Sequence, residues 1–291
     1  MRYTPIFLLL LSCTNMSTSI DYQGHRGARG LYPENTIPAF LHALEYPAIS
    51  TLEMDVVLTK DGTVLVSHDP WLVAELCTTA GGNRLDPADS ARISILSLRI
   101  DEAQSYDCGN LPHPRFPEQR KMFGKKPRLA QVFEAVESYC RENDRELPRY
   151  NIEIKYLPEW EAQGFVASMR TNIEAVLAVV NKAELADRTT IQCFHPPVLQ
   201  LIHEQQPDLH LAYLDEFPEK GELAAKMDAL GFIPPAYSPW HEPLSQSVID
   251  QAHELGMTVV PWTVNETARM EELVEMGVDG VITDYPNRVP E

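Results

Sequence analysis

The sequence predicts an α/β protein folded as a (β/α)8 TIM barrel with an insertion after the second strand. Three observations carry this expectation. Apolar segments centred near Tyr22, Glu53, Glu153, Ile191, Leu211, Tyr237, Val260 and Val281 read as eight strands, most of them alternating with helical patterns. Several of those helices run into a glycine, at Gly231, Gly256 and Gly277, where a left-handed cap is expected. A chain of 291 residues is long for one average domain but ordinary for a single α/β barrel. An open, doubly wound sheet is the competing arrangement. Its nucleotide-binding versions need a glycine-rich phosphate loop after the first strand, and none is present.

Residues 1–20 read as a leader and tether, and 21–291 as the barrel. Tyr22–His25 forms a short strand, followed by the tight Arg26-Gly27-Ala28-Arg29-Gly30 path. Pro33-Glu34-Asn35-Thr36 opens a helix, capped by Asn35 or Thr36, with Pro38 in its first turn. Thr51–Asp69 is a hairpin: a strand carrying Glu53 and Asp55, a Lys60-Asp61-Gly62 turn, and a return strand ending at His68-Asp69. Pro70 to about Pro127 is a loop-rich insertion, regular only near Ile93–Ile100. Alternation then resumes. A helix face at Leu129, Val132, Phe133 and Val136 is followed by the strand at 151–155, then a helix over Phe165–Val180. Beyond it come strand and helix pairs at 189–204, 209–230, 236–255 and 257–276, and a last strand over Gly280–Thr283.

Hydrophobic residues make up 44% of the chain, ample for a core, and the net charge is −18. That balance argues against nucleic acid as a partner, and against a broad electrostatic hold on anionic lipid. A small anionic substrate stays open, since a bound cation reverses the local field. The start of the chain, one arginine and an apolar run over Ile6–Leu11, is too short to span a bilayer. Leu10-Leu11-Ser12-Cys13 resembles a bacterial lipoprotein signal, which implies an exported, periplasmic or surface protein anchored through lipid on Cys13; an ordinary cleaved signal is the alternative. Export would let Cys77 and Cys108, both in the insertion, form a disulfide, whereas Cys140 and Cys193 read as buried helix and strand positions.

Chemistry collects at the carboxyl ends of the strands, where barrels carry their sites. Glu53 and Asp55, two apart on one strand, face the same way, and Met54 and Val56 the other. Converging, enclosed carboxylates repel and lose hydration, and a divalent cation with oxygen ligands is the simplest compensation. Glu153 and Lys155 repeat the pattern on the next strand, a third oxygen ligand with a fixed positive charge beside it. His25 and Arg26 end the first strand, His68 returns on the hairpin, and Trp262 and Asp284 follow the last two strands. Two imidazoles, three acids, an arginine and a lysine at one barrel mouth suit a phosphodiester.

Those residues stand in an ordered set of motifs. His25-Arg26-Gly27 and Pro33-Glu34-Asn35-Thr36 come first, then Leu52-Glu53-x-Asp55-Val56 with Asp61-Gly62, Val64-Leu65-Val66-Ser67-His68-Asp69, and Glu153-x-Lys155. Trp262-Thr263-Val264-Asn265 and Asp279-Gly280-Val281-Ile282-Thr283-Asp284-x-Pro286 close the set. From Gly24 to Pro286 the chain resembles the glycerophosphodiester phosphodiesterase family. The resemblance implies Ca²⁺- or Mg²⁺-dependent release of sn-glycerol 3-phosphate and an alcohol from a small glycerophosphodiester. By position it implies His25 and His68 as the acid–base pair, and Glu53, Asp55 and Glu153 as metal ligands. Arg26 and Lys155 would contact phosphate, and Trp262 would wall the pocket. Asp107-Cys108-Gly109 and Arg115-Phe116-Pro117 also resemble family sequence, and Cys193-Phe194-His195 stands where many relatives have Ser-Phe.

Plainer roles stand beside these. Lys155 can neutralise Glu53 or Glu153 with no metal, Asp284 can cap the last turn, and Asn35, which could touch the site from the first loop, is explained by helix capping alone. His195, His203, His210, His241 and His253 read as structural or surface residues, and His113, inside the insertion, as part of a solvated loop, with the lining of a lid as the alternative. A lysophospholipase D-like or phospholipase C-like enzyme is the second functional candidate, though apolar residues scattered through the insertion favour small, deacylated substrates. A non-catalytic lipoprotein that captures glycerophosphodiesters is the third, and two proton carriers exceed its needs.

Overall fold

The computed structural model describes residues 20–86, 88, 93–219 and 222–290. The leader and the Cys13 lipid anchor therefore lie outside the described residues. The strands are β1 (Asp21–Gly24), β2 (Ile49–Leu58), β3 (Val64–Val66), β4 (Arg149–Ile154), β5 (Thr189–Cys193), β6 (His210–Asp215), β7 (Ala236–Pro239), β8 (Thr258–Val259) and β9 (Gly280–Thr283). In space they run β8-β7-β6-β5-β4-β2-β1-β9, each neighbouring pair parallel, with β3 antiparallel on β2. Backbone bonds from Val264 N to Ile282 O (2.9 Å), Ile282 N to Pro261 O (3.0 Å) and Asp279 N to Val259 O (2.9 Å) bring the two ends together. The result is a nearly closed barrel of eight parallel strands with helices between them, the (β/α)8 architecture expected.

Strand alternation decides what each face holds. Leu52, Met54 and Val56 of β2, and Tyr150, Ile152 and Ile154 of β4, are buried in the main apolar core. Glu53, Asp55, Asn151 and Glu153 alternate with them and turn the other way, also buried. Residues pair across the two strands in register, Glu53 with Asn151 and Asp55 with Glu153, so Asp55 and Glu153 stand side by side with Glu53 one step below on the same face.

The helices that cover the barrel are α1 (Ile37–Ala43), α3 (Leu129–Glu142), α5 (Met169–Lys182), α6 (Pro196–Gln205), α7 (Leu223–Leu230), α8 (Gln246–Glu254) and α9 (Thr267–Glu275). Short helices α2 (Ile100–Ala103) and α4 (Pro158–Ala162) lie in the insertion and after β4. Thr36, not Asn35, caps α1, its side chain accepting from Ala39 N. The helix expected from Phe165 begins at Met169, because Ser168 caps it by accepting from Thr171 N. Gly231, Gly256 and Gly277 follow their helices with φ of 81°, 82° and 94°.

The insertion has its own staple. Cys77 and Cys108 are bridged, whereas Cys140 and Cys193 are free and buried. Asp107 Oδ1 accepts from Gly109 N (3.1 Å) and Gly124 N (2.9 Å), which draws the distal part of the loop together. The loop then docks on the first β–α connection. Gln119 donates to Arg29 O (2.8 Å), Arg120 N donates to Leu31 O (2.8 Å), and the Phe116 ring lies under the Arg29 guanidinium at 4.5 Å.

Candidate active site

A cavity of ≈ 770 Å³ opens at the carboxyl ends of the strands, lined by His25, Arg26, Glu53, His68, Glu153, Lys155 and Trp262 among others. Seven of the eight residues singled out in the sequence thus share one cavity, and the eighth, Asp55, lies buried against Arg26 and Asn35. Carboxylate oxygens of Glu53, Asp55 and Glu153 lie within 4.8 Å of one another. That spacing lets one cation bridge all three.

Each acid is held from a different side. Arg26 N donates to Glu53 Oε2 (2.9 Å) and Gln192 Nε2 to Glu53 Oε1 (3.0 Å). Asn35 grips Asp55 twice, its Nδ2 donating to Oδ2 (2.8 Å) and its Oδ1 accepting from Asp55 N (3.3 Å). Lys155 Nζ donates to Glu153 Oε1 (2.7 Å) and lies 3.8 Å from Asp55 Oδ1. Arg26 Nε approaches Asp55 Oδ2 to 3.2 Å without hydrogen-bond alignment, while its Nη1 donates to Glu34 Oε1 (2.9 Å). Arg26 and Asn35 hold left-handed backbone conformations, φ 50° and 56°, uncommon for an arginine and tolerated by an asparagine.

The arrangement fits a cation. Asp55 Oδ1 is buried and has no hydrogen-bond partner, an arrangement costly for an oxygen that nothing else satisfies. Against the three carboxylates stand Arg26 and Lys155, so one negative charge is left over at that point. A divalent cation and a singly charged phosphodiester together would balance it. Burial, with Asp55 alongside, raises Glu53 well above the usual carboxylate range, and burial raises Glu153 in the same way. Burial works against ionised Asp55 too, but Arg26 and other nearby cationic groups outweigh it and hold Asp55 far below its ordinary value. Burial also opposes a charged Lys155, yet Glu153 and Asp55 overcome it and raise the ammonium's pKa.

His25 closes the site from β1. Its Nδ1 is 2.6 Å from Asp284 Oδ1, and its Nε2 is 3.8 Å from Glu53 Oε2. Asp284 does more than cap the last turn: its Oδ2 accepts from Asn265 Nδ2 (2.9 Å), and Arg29 Nε lies 3.5 Å from Oδ1. Burial lowers His25 to about 4, against the opposing pull of Asp284. His68 arrives on the hairpin, where Ser67 N donates to Asp55 O (2.9 Å), and His68 Nδ1 lies 3.4 Å from Asp69 Oδ2.

Several neighbours escaped the sequence reading. Glu34 looked like part of a helix start, but it bridges Arg26 and Arg29, and these outweigh its burial to hold it at about 2. Its place inside the Pro-Glu-Asn-Thr motif was the available signal. Lys126, at the end of the insertion, donates to Ser67 Oγ (2.9 Å), with its pKa lowered by burial. His113 is a correction to the solvated-loop expectation: its ring is only 7% exposed and lies 3.9 Å from Glu34, because Phe116 packs beneath it. His241 likewise lines the cavity instead of the surface. His203 stacks on Phe232 and His253 pairs with Asp279, both away from the site. Cys193 is a buried thiol raised to about 12 by burial, and Phe194 beside it forms cavity wall.

The family model of the Glycerophosphoryl diester phosphodiesterase family matches residues 25–288. A glycerophosphodiester phosphodiesterase of Bacillus altitudinis is 27% identical over 266 residues, covering 91% of this chain and 94% of its own. A lysophospholipase D of Rattus norvegicus is 26% identical over 286 residues, covering 92% and 84%. Among solved structures, a Silicibacter pomeroyi protein assigned as a glycerophosphoryl diester phosphodiesterase superposes with a TM-score of 0.81 at 29% identity, covering 94% of this chain and 92% of its own. An Oleispira antarctica phosphodiesterase in complex with sn-glycerol-3-phosphate shares the fold, with a TM-score of 0.70 at 19% identity, covering 92% and 94%. With nearly all of its barrel matched, this chain belongs to the glycerophosphoryl diester phosphodiesterase family.

Proposed function

We propose that the protein hydrolyses glycerophosphodiesters to sn-glycerol 3-phosphate and an alcohol, with Ca²⁺ or Mg²⁺ held by Glu53, Asp55 and Glu153. The observation that carries this reading is the convergence of those three carboxylates, one with a buried unpartnered oxygen, beside His25 in a cavity that His68 also lines. A bound divalent cation supplies Lewis-acid polarisation of a phosphoryl oxygen. Arg26 and Lys155 add positive charge for the remaining anionic oxygens, and Trp262 walls the substrate.

His25 and His68 move the protons. Asp284, ionised, takes the hydrogen bond from His25 Nδ1–H, which leaves Nε2 with its lone pair facing the cavity side. His25 is therefore the base of the first step and His68 the acid. His25 Nε2 takes the proton of the glycerol 2-hydroxyl as that oxygen attacks phosphorus, and His68 gives a proton to the departing alcohol oxygen. Water then opens the cyclic phosphate with the two roles exchanged, giving sn-glycerol 3-phosphate and restoring both imidazoles.

The reading includes export. The Cys77–Cys108 bridge supports it, since disulfides persist outside the reducing cytoplasm, and Cys13 is the proposed lipid anchor. The test of function is to incubate purified protein with glycerophosphocholine and Ca²⁺ and assay glycerol 3-phosphate, with and without EDTA. Release abolished by EDTA, and absent in His25→Ala and His68→Ala variants that still bind metal, is the expected result. Release indifferent to EDTA, or retained in either variant, rejects the mechanism. Tight binding of the diester without release favours a capture protein instead.

A further inference from the structure

The cavity has two unlike halves. The strand ends of β9, β1, β2 and β4 carry the acids, His25, Arg26 and Lys155 described above, with Arg29 and Arg115 beside them. On the other side, the segments after β4, β5, β7 and β8 present Trp160, Phe194, Trp240 and Trp262, all half-buried. Glu216 after β6 and Glu242 after β7 complete that side, and both are exposed. The chain has four tryptophans, and three of them line this one cavity. The fourth, Trp71, packs edge-on against Trp160 with centroids 5.8 Å apart and so braces the wall from behind.

These rings offer faces more than hydrogen bonds. The indole N–H of Trp262 is committed to Ser238 O at 2.8 Å, and its ring meets Phe194 edge-on at 5.4 Å. Arg269 reaches this wall only to donate to His241 O, and it pairs with Glu272 at 2.7 Å. Burial lowers the pKa of His241, so its imidazole adds no positive charge near neutral pH. Aromatic faces with carboxylates at their rim attract a cation that cannot itself donate hydrogen bonds. A neutral polyol headgroup could hydrogen-bond Glu216, Glu242 or His241 but would gain nothing from the aromatic faces, and an acyl chain would have to pass the two acids.

We propose that this half of the cavity is a headgroup site for a quaternary ammonium group, so that the preferred substrates are zwitterionic diesters of glycerol 3-phosphate with a choline-type alcohol. The phosphate lies against the cationic half and the ammonium against the aromatic and acidic half, and a cavity of ≈ 770 Å³ is of the size that encloses a small ligand. The assignment rests on the hydrolase reading above for its chemistry, but not for its binding site.

The test compares kcat/KM for glycerophosphocholine and glycerophosphoglycerol at the same Ca²⁺ concentration. The choline diester should be favoured by roughly tenfold or more, chiefly through KM, the scale of one or two cation–aromatic contacts. Trp240→Leu, and separately the double variant Glu216→Gln/Glu242→Gln, should bring that ratio towards one. Equal values in the wild type, or a ratio that neither variant changes, overturns the proposal. Choline chloride titrated against tryptophan fluorescence, with sodium chloride as control, reads the site without turnover. Saturable quenching that weakens in Trp240→Leu supports the headgroup site even if no diester is hydrolysed, in which case the hydrolase reading alone fails. No saturable response to choline overturns the headgroup site.

Discussion

Replacing Asp284 with asparagine tests how the site prepares His25. The carboxylate accepts on both oxygens, from His25 Nδ1 at Oδ1 (2.6 Å) and from Asn265 Nδ2 at Oδ2 (2.9 Å), with Arg29 Nε 3.5 Å from Oδ1. An amide has one accepting oxygen, so whichever way it turns, a donor faces a donor. If the amide nitrogen turns to His25, it also favours the wrong tautomer, with the lone pair on Nδ1 and the proton on Nε2. Losing one charge-assisted hydrogen bond costs about 1.5–3 kcal/mol, and at about 1.4 kcal/mol per factor of ten kcat should fall roughly 10- to 100-fold. Asp284 is not among the three clustered acids, so Ca²⁺ affinity by calorimetry should stay within about twofold. Burial sets His25 at about 4, and the Asp284 charge is what opposes that burial. Deleting the charge lowers His25 further, so the acid limb of the kcat/KM profile should move to lower pH as the plateau drops. A variant with kcat within twofold of wild type refutes the positioning argument. A loss of rate that simply follows a loss of metal does so too.

Other outcomes follow from the same geometry. Glu53 and Glu153 are both raised, by burial first, and a cation needs both ionised, so metal binding competes with protons there. A raised carboxylate favours the folded state below its unfolded value, and that contribution is lost as pH rises through the folded value. Metal-free protein should therefore lose thermal stability as pH rises above the ordinary carboxylate range while Ca²⁺ affinity climbs, and a pH-independent affinity would count against the raised acids. At Gly27, φ is +84° and an added Cβ would sit 2.6 Å from the Ala39 backbone. Gly27→Ala should cost about 2 kcal/mol or more, lowering Tm by roughly 5 °C or more in a chain of this size; a shift under about 1 °C would contradict this. Metabolic palmitate labelling should depend on Cys13, and label persisting in Cys13→Ala would remove the lipoprotein assignment.

The β2–β3 hairpin was legible because its information is local. Alternation alone sends Glu53 and Asp55 away from Met54 and Val56, and the Asp61-Gly62 turn fixes the return of His68. Helix ends at Gly231, Gly256 and Gly277 were legible for the same reason, since only the local φ is at stake. What stayed hidden depends on barrel closure. Asp284 and His25 are 259 residues apart and meet only when β9 pairs with β1. Asn35 could be read as a helix cap or as a site contact, and the structure decides between them by giving the cap to Thr36 and Asn35 to Asp55. Irregular segments gave least. Helix α4 is a single short turn starting at Pro158, and the burial of His113 depends on how the insertion folds back on Arg29.

Beside the three acids the barrel interior is joined by amides where many barrels stack aliphatic side chains. Asn151 Nδ2 donates to Gln23 Oε1 (2.8 Å) and to Gln192 Oε1 (3.1 Å), and Gln192 in turn holds Glu53. The floor of the site is thus directional: its members transmit orientation as well as filling volume. An aliphatic replacement of Asn151, however well it filled the space, would release Gln192 and let Glu53 rotate. Adjusting the chemistry of this pocket therefore involves Asn151, one step below Glu153 on its strand and level with Glu53.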